Sequence, residues 1–122
     1  MVHVTAEHFD QLVAAALDEI PEALAEAMEN IVVTVEERPT AEQAARARGV
    51  LLGLYEGVPL TRRGPLSYSG VAPDRITIFR GSLCARARDE DELAAQVRVT
   101  VLHEVGHYFG MSDERLREMG WA

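Results

Sequence analysis

The reading of this chain turns on His103-Glu104-Val105-Gly106-His107-Tyr108-Phe109-Gly110-Met111-Ser112-Asp113. The stretch closes the strongest helical segment in the sequence, Asp89 to Phe109. Asp89 and Glu92 stand where an N-cap and its reciprocal partner belong. The acids from Asp89 to Glu92 also complement the positive end of a helix dipole. Ala94, Val97, Val101, Val105 and Tyr108 recur at helical spacing and predict one buried stripe. His103 is two residues beyond Val101, or about 200° around the helix. The spacing therefore predicts the histidines on the opposite face, together with the polar Gln96 and Thr100.

His103 and His107 are four residues apart, so on a helix both rings leave one face about a turn apart. That geometry lets two imidazole nitrogens reach one ion at roughly 2.0–2.1 Å. Glu104 follows the first histidine and is placed to serve a water on the metal rather than to bind the metal itself. Gly110 stops the helix and can turn the chain sharply, which would return Asp113 over the ion as a third ligand. Two histidines and a carboxylate leave a fourth position for water, the requirement of a catalytic zinc site. Nitrogen and oxygen ligation of this kind makes zinc the default metal, one ion per chain.

Working outward, the 122 residues suffice for a single domain, 1–122. Twenty acids against twelve bases give a formal charge of −8, which repels a phosphate backbone and argues against a nucleic-acid partner. No run approaches the roughly 20 apolar residues of a membrane helix. The start, Met1 to His8, lacks a basic region followed by an apolar run, so it does not read as a secretory signal. The expectation is a cytoplasmic protein without a membrane partner. All twelve bases are Arg, which reads as composition bias. The single Cys84 excludes an internal disulfide and a paired-cysteine zinc site. With no identifiable base beside it, Cys84 reads as a small core residue. His3 and His8 read as surface residues, Arg62-Arg63 as a solvated pair and Tyr68 as a half-buried loop residue.

Upstream, Thr5 can cap a helix carrying Phe9, Leu12, Val13, Ala16, Leu17 and Ile20 on one stripe. Pro21 suits the start of a short second helix, with Leu24, Ala27 and Met28 inward. Ile31 to Glu36 reads as a strand that Pro39 ends. Thr40 and Gln43 match a capping box for a helix closed by Gly49. Val50 to Tyr55 is a second strand, and Arg75 to Arg80 a third. Between them, Glu56 to Pro73 is a long loop of the kind that often carries function.

The segment His103 to Asp113 resembles the zincin metallopeptidases, and within them the extended H-E-x-x-H-x-x-G-x-x-H/D pattern of the metzincin type. The wider chain is similar to a family of small bacterial zincin-like metallopeptidases, the minimal zincins. That likeness runs through Leu51 to Gly57, Pro73 to Arg80, His103-Glu104 and Gly110 to Asp113. The resemblance implies an α+β fold, with a small mixed sheet packed on helices and an edge strand beside the active-site helix. It implies His103, His107 and Asp113 as ligands and Glu104 as general base. It also implies that the strand Asp74 to Gly81 is the edge that pairs with an extended substrate, through Arg75, Ile76, Thr77, Ile78 and Phe79. So short a chain has no room for a second lobe, so either a partner or an oligomer supplies a second wall to the cleft or the activity is low or narrow.

Three functions fit these residues. The first is a zinc metallopeptidase cleaving a peptide or protein substrate, with Glu104 handling the proton. The second is a catalytically weak or inactive zinc-binding module that pairs its exposed strand, Arg75 to Arg80, with another protein. The third is a metal-dependent hydrolase of a non-peptide amide. The presence of Glu104 favours the first, because a closed structural site gains nothing from a base there.

Overall fold

The fold was obtained as a computed structural model, which describes residues 1–47, 49–59 and 73–122. Arg62, Arg63, Tyr68 and most of the predicted long loop lie outside the described residues. Helix α1 spans Ala6–Leu17, with the Thr5 hydroxyl accepting from the His8 N–H. Helix α2 is Glu22–Ala27; Leu24 and Met28 pack on the core, whereas Ala27, expected inward, is exposed. Strand β1 is Ile31–Glu36. Helix α3, Ala41–Arg46, carries the predicted capping box of Thr40 and Gln43, and stops short of Gly49. Strands β2, Gly53–Glu56, and β3, Asp74–Phe79, complete the sheet. Helices α4, Arg80–Arg86, and α5, Glu90–Tyr108, follow, and α6, Asp113–Met119, ends the chain. The sequence reading foresaw neither α4 nor α6. Among the described residues, no helix is long and apolar enough to cross a membrane.

The sheet is mixed, in the order β1-β3-β2, with β1 parallel and β2 antiparallel to β3. With the surrounding helices this makes the α+β architecture expected from the sequence. The expectation that the third strand lies at an edge, open to a peptide, is overturned. Ile76 pairs with Val33 on one side and Tyr55 on the other, and Ile78 with Val35 and Gly53. The main chain of Arg75, Ile76, Thr77, Ile78 and Phe79 is thus engaged by two neighbours, and this strand cannot take up a substrate or a partner's strand. Burial explains why. Ile76, Ile78 and Phe79 are fully buried and Thr77 nearly so, which is the near-continuous burial of a central strand. Among the described residues, the edge strand beside α5 is β2.

Helix α5 is the centre of the molecule, with α1 on one flank and β2 on another. Asp89 caps it by accepting from the Glu92 N–H at 2.8 Å, as its sequence predicts, whereas the Glu92 carboxylate accepts from Arg88 rather than completing a reciprocal cap. Its second half is buried on more than one face: Thr100, Val101, Leu102, Glu104, Val105, Gly106 and Tyr108 are all inside. The two-faced helix expected from the spacing is therefore corrected. Thr100 is buried, not part of an open polar face, because β2 closes over it. The Tyr108 hydroxyl reaches across to the main chain of Glu29, tying α5 to the entry of β1.

Gly106 shows how closely α6 sits on α5. A Cβ at Gly106 would overlap Leu116, which is fully buried. Ordinarily, Gly→Ala in a helix interior gains up to about 1 kcal/mol. Here overpacking should win, and Gly106→Ala should lose about 1–3 kcal/mol in urea denaturation. A variant as stable as wild type would show that α6 does not need this approach.

Candidate metal centre

The last two turns of α5 bring His103, Glu104 and His107 together. Each offers one donor atom, and the three atoms lie within 4.8 Å of one another. The imidazole rings stand edge to face, with centroids 4.6 Å apart and an interplanar angle of 85°. Both histidines are partly exposed, while Glu104 is buried.

Strand β2 forms the opposite wall. It approaches α5 so closely that a Cβ on Gly53 would meet Thr100 Cγ2 at 2.8 Å and Glu104 Cγ at 3.2 Å. A glycine inside an apolar strand pattern is a legible sign of such an approach. Two residues on, the Tyr55 backbone N–H donates to the Glu104 carboxylate. Burial pushes the Glu104 carboxyl up to about 7 from its ordinary 4.5, and the Tyr55 hydrogen bond opposes the shift only in part. The Tyr55 side chain is fixed separately, its hydroxyl donating to the buried Asp74 carboxylate at 2.6 Å.

Each histidine has its own control. Burial lowers the His107 pKa, the neighbouring His103 lowers it further, and Asp113 opposes both. A lowered pKa keeps the ring neutral with a lone pair for a metal. His103 Nδ1 lies 3.0 Å from the Trp121 carbonyl oxygen. A carbonyl can only accept, so Nδ1 carries a proton, and in the neutral ring Nε2 keeps the lone pair.

Asp113 stands differently. Gly110 takes φ +77° and reverses the chain as expected, with the Met111 N–H donating to the Gly106 carbonyl and the Gly110 N–H to that of His107. The reversal leads directly into α6, capped by the Ser112 hydroxyl, so that Asp113 is its first residue. There it is exposed and complements the dipole of that short helix. It is near enough for its charge to act on His107, yet it is not one of the three clustered residues.

Two hollows flank the imidazole pair. One, of about 620 Å³, is lined by Leu51, Leu54, Pro59, Met111 and the His107 side of the site. The other, of about 320 Å³, lies on the His103 side, against Val50, Val99 and Ala122. Leu51, Gly53 and Glu104 line both, so the two hollows adjoin and form a trough along β2.

Sequence reasoning missed Tyr55, Gly53 and Trp121. Tyr55 and Trp121 act here through main-chain groups, which carry no residue-type signature. Elsewhere, Cys84 is half buried and desolvation raises its thiol pKa, which disfavours the thiolate. His3 is exposed, and His8 faces Glu90 at 3.6 Å on the surface.

No curated protein matches the chain. Among solved structures, a conserved hypothetical protein from Thermo thermophilus is similar in fold, with a TM-score of 0.56 and 24% identity, over 94% of this chain and 99% of that one. A family model described as zincin-like metallopeptidase matches residues 28–121, a span that takes in the whole sheet, α5 and the three clustered residues. The chain belongs to the zincin-like metallopeptidase family.

Proposed function

We propose that this protein is a zinc-dependent metallopeptidase, with His103, His107 and Asp113 holding the metal and Glu104 acting as general base. One observation carries the reading: a buried carboxylate and two imidazoles converge on the floor of a trough bounded by an edge strand. The donor set fits zinc, since His107 is held toward its neutral form and His103 presents Nε2. Zinc bound there supplies a water of lowered pKa and a polarised scissile carbonyl.

The chain's own residues do the rest. Glu104 accepts a proton from the attacking water on its carboxylate and delivers it to the leaving amine. The Tyr55 N–H holds that carboxylate in place. An extended peptide lies along β2, which has β3 on one side and the trough on the other, with its side chains in the two hollows. Leu51, Leu54 and Met111 line the larger hollow and exclude water from one side of the scissile bond.

Purified protein should take up about one zinc per chain at neutral pH, and affinity should fall as pH drops through the histidine range. His107→Ala should lose zinc and activity together. Asp113→Ala should weaken zinc binding while costing at most about 1 kcal/mol of stability, the worth of an acid in a helix first turn. Titration against a chromophoric chelator measures the zinc affinities, and urea denaturation the stability. If no zinc is taken up the metal reading fails, and if Asp113→Ala binds as tightly as wild type, Asp113 serves α6 alone.

A further inference from the structure

The Trp121 carbonyl lies 18 residues from its partner His103 in sequence, and three features fix it there. Gly120 takes φ +77° and turns the chain out of α6. The Trp121 N–H then donates to the Leu116 carbonyl at 2.8 Å, while the Gly120 N–H donates to that of Arg117. Trp121 is only 6% exposed and belongs to the same core cluster as Leu116, Val101 and Val105. The carbonyl therefore cannot move without unseating the indole, and Leu116 is itself seated on Gly106.

We propose that the Gly120-Trp121 turn is a positioning element for the metal centre. By accepting from Nδ1–H, the Trp121 carbonyl sets both the tautomer and the ring orientation of His103, so that Nε2 is presented to zinc. The proposal rests on the reading of His103 as a ligand. Its physical basis is general. A neutral imidazole free in water populates both tautomers and rotates about χ2, whereas one held at a single nitrogen arrives at the metal already aimed. Losing such a partner typically weakens metal binding about 10–100-fold. Trp121 is thus a positioning residue that acts through His103.

The test begins with the metal-free protein. A long-range ¹H–¹⁵N spectrum of the labelled chain, above the histidine titration range, should show His103 with Nδ1 protonated and Nε2 bare. Trp121→Ala removes the buried anchor and should let the carbonyl drift. The two tautomers should then mix, and zinc affinity by chelator competition should fall about 10–100-fold. Trp121→Phe keeps an aromatic anchor and should restore the wild-type tautomer and most of the affinity, a rescue that a purely structural tryptophan does not require at His103. Circular dichroism checks that each variant is folded. If Trp121→Ala does not fold, the wild-type tautomer and the affinity of Trp121→Phe decide. The proposal is overturned if wild type binds zinc while His103 carries its proton on Nε2 in the metal-free state. It is also overturned if folded Trp121→Ala binds zinc as tightly as wild type. A wild-type protein that binds no zinc, whatever its tautomer, overturns the ligand reading instead.

Discussion

Glu104→Gln should slow hydrolysis about 10²–10⁴-fold while leaving zinc in place. The substitution keeps the size of the side chain, and its carbonyl oxygen can still accept from the Tyr55 N–H that now bonds the carboxylate. His103 and His107 are unchanged, so the donor pair persists. What disappears is the cluster's carboxylate, the group that the proposed mechanism uses to accept a proton from water and return it to the leaving amine. Loss of general base catalysis typically costs about 10²–10⁴ in rate, and the fall should appear in kcat more than in KM. A peptide-library digest followed by steady-state kinetics on the best substrate measures it, with zinc content determined on the same preparation. Activity that survives within a few-fold would remove Glu104 from the mechanism. If both proteins bind zinc and neither cleaves any peptide, the metal serves binding or structure rather than hydrolysis.

The same substitution should act on stability in the opposite direction. In the metal-free chain, burial raises the Glu104 carboxyl from 4.5 to about 7, so the folded state holds this proton more tightly than the unfolded state does. Between those two values the folded protein binds more protons, and stability falls as pH rises. The contribution is fully present below about 4.5 and is lost as pH climbs through about 7. At about 1.4 kcal/mol per pKa unit, the loss is about 3 kcal/mol. A glutamine side chain does not ionise, so in the presence of a chelator Glu104→Gln should flatten this limb and exceed wild type in stability above pH 7. Urea titrations of both proteins at a series of pH values test this. Parallel curves across the window would mean that Glu104 is solvated well enough to ionise at its ordinary value. The expected result is a site whose chemistry is held at a cost to the fold, as in other proteins where an active group is buried for its reactivity.

The histidine pair was legible because it is local. Four residues of helix put His103 and His107 on one face whatever surrounds them, and Asp89 and Gly110 mark the limits of that helix in the sequence. The capping box of α3 and the stripe on α1 are local in the same sense. The placement of Asp113 was only half legible. Gly110 announced the turn, but the Ser112 cap that begins α6 and leaves Asp113 exposed was not recognised, although Ser at a helix start is a readable signal.

The strand order lay beyond local reading. Ile76-Thr77-Ile78-Phe79 alternates as a half-exposed edge strand does, yet Thr77 and Phe79 are as buried as their neighbours. Whether the second face of a strand meets water or another layer depends on which distant segments pair with it and cover it. Here the partners of Ile76 are Val33 and Tyr55, on two strands that lie well upstream. The two main-chain contacts that finish the site, from Tyr55 to Glu104 and from His103 to Trp121, were hidden for a related reason. Every residue has the carbonyl that Trp121 offers, and every residue but proline has the N–H that Tyr55 offers. Local sequence therefore determined the side chains that can hold a metal, and only the packing of β2 and α6 against α5 decided which backbone groups orient them.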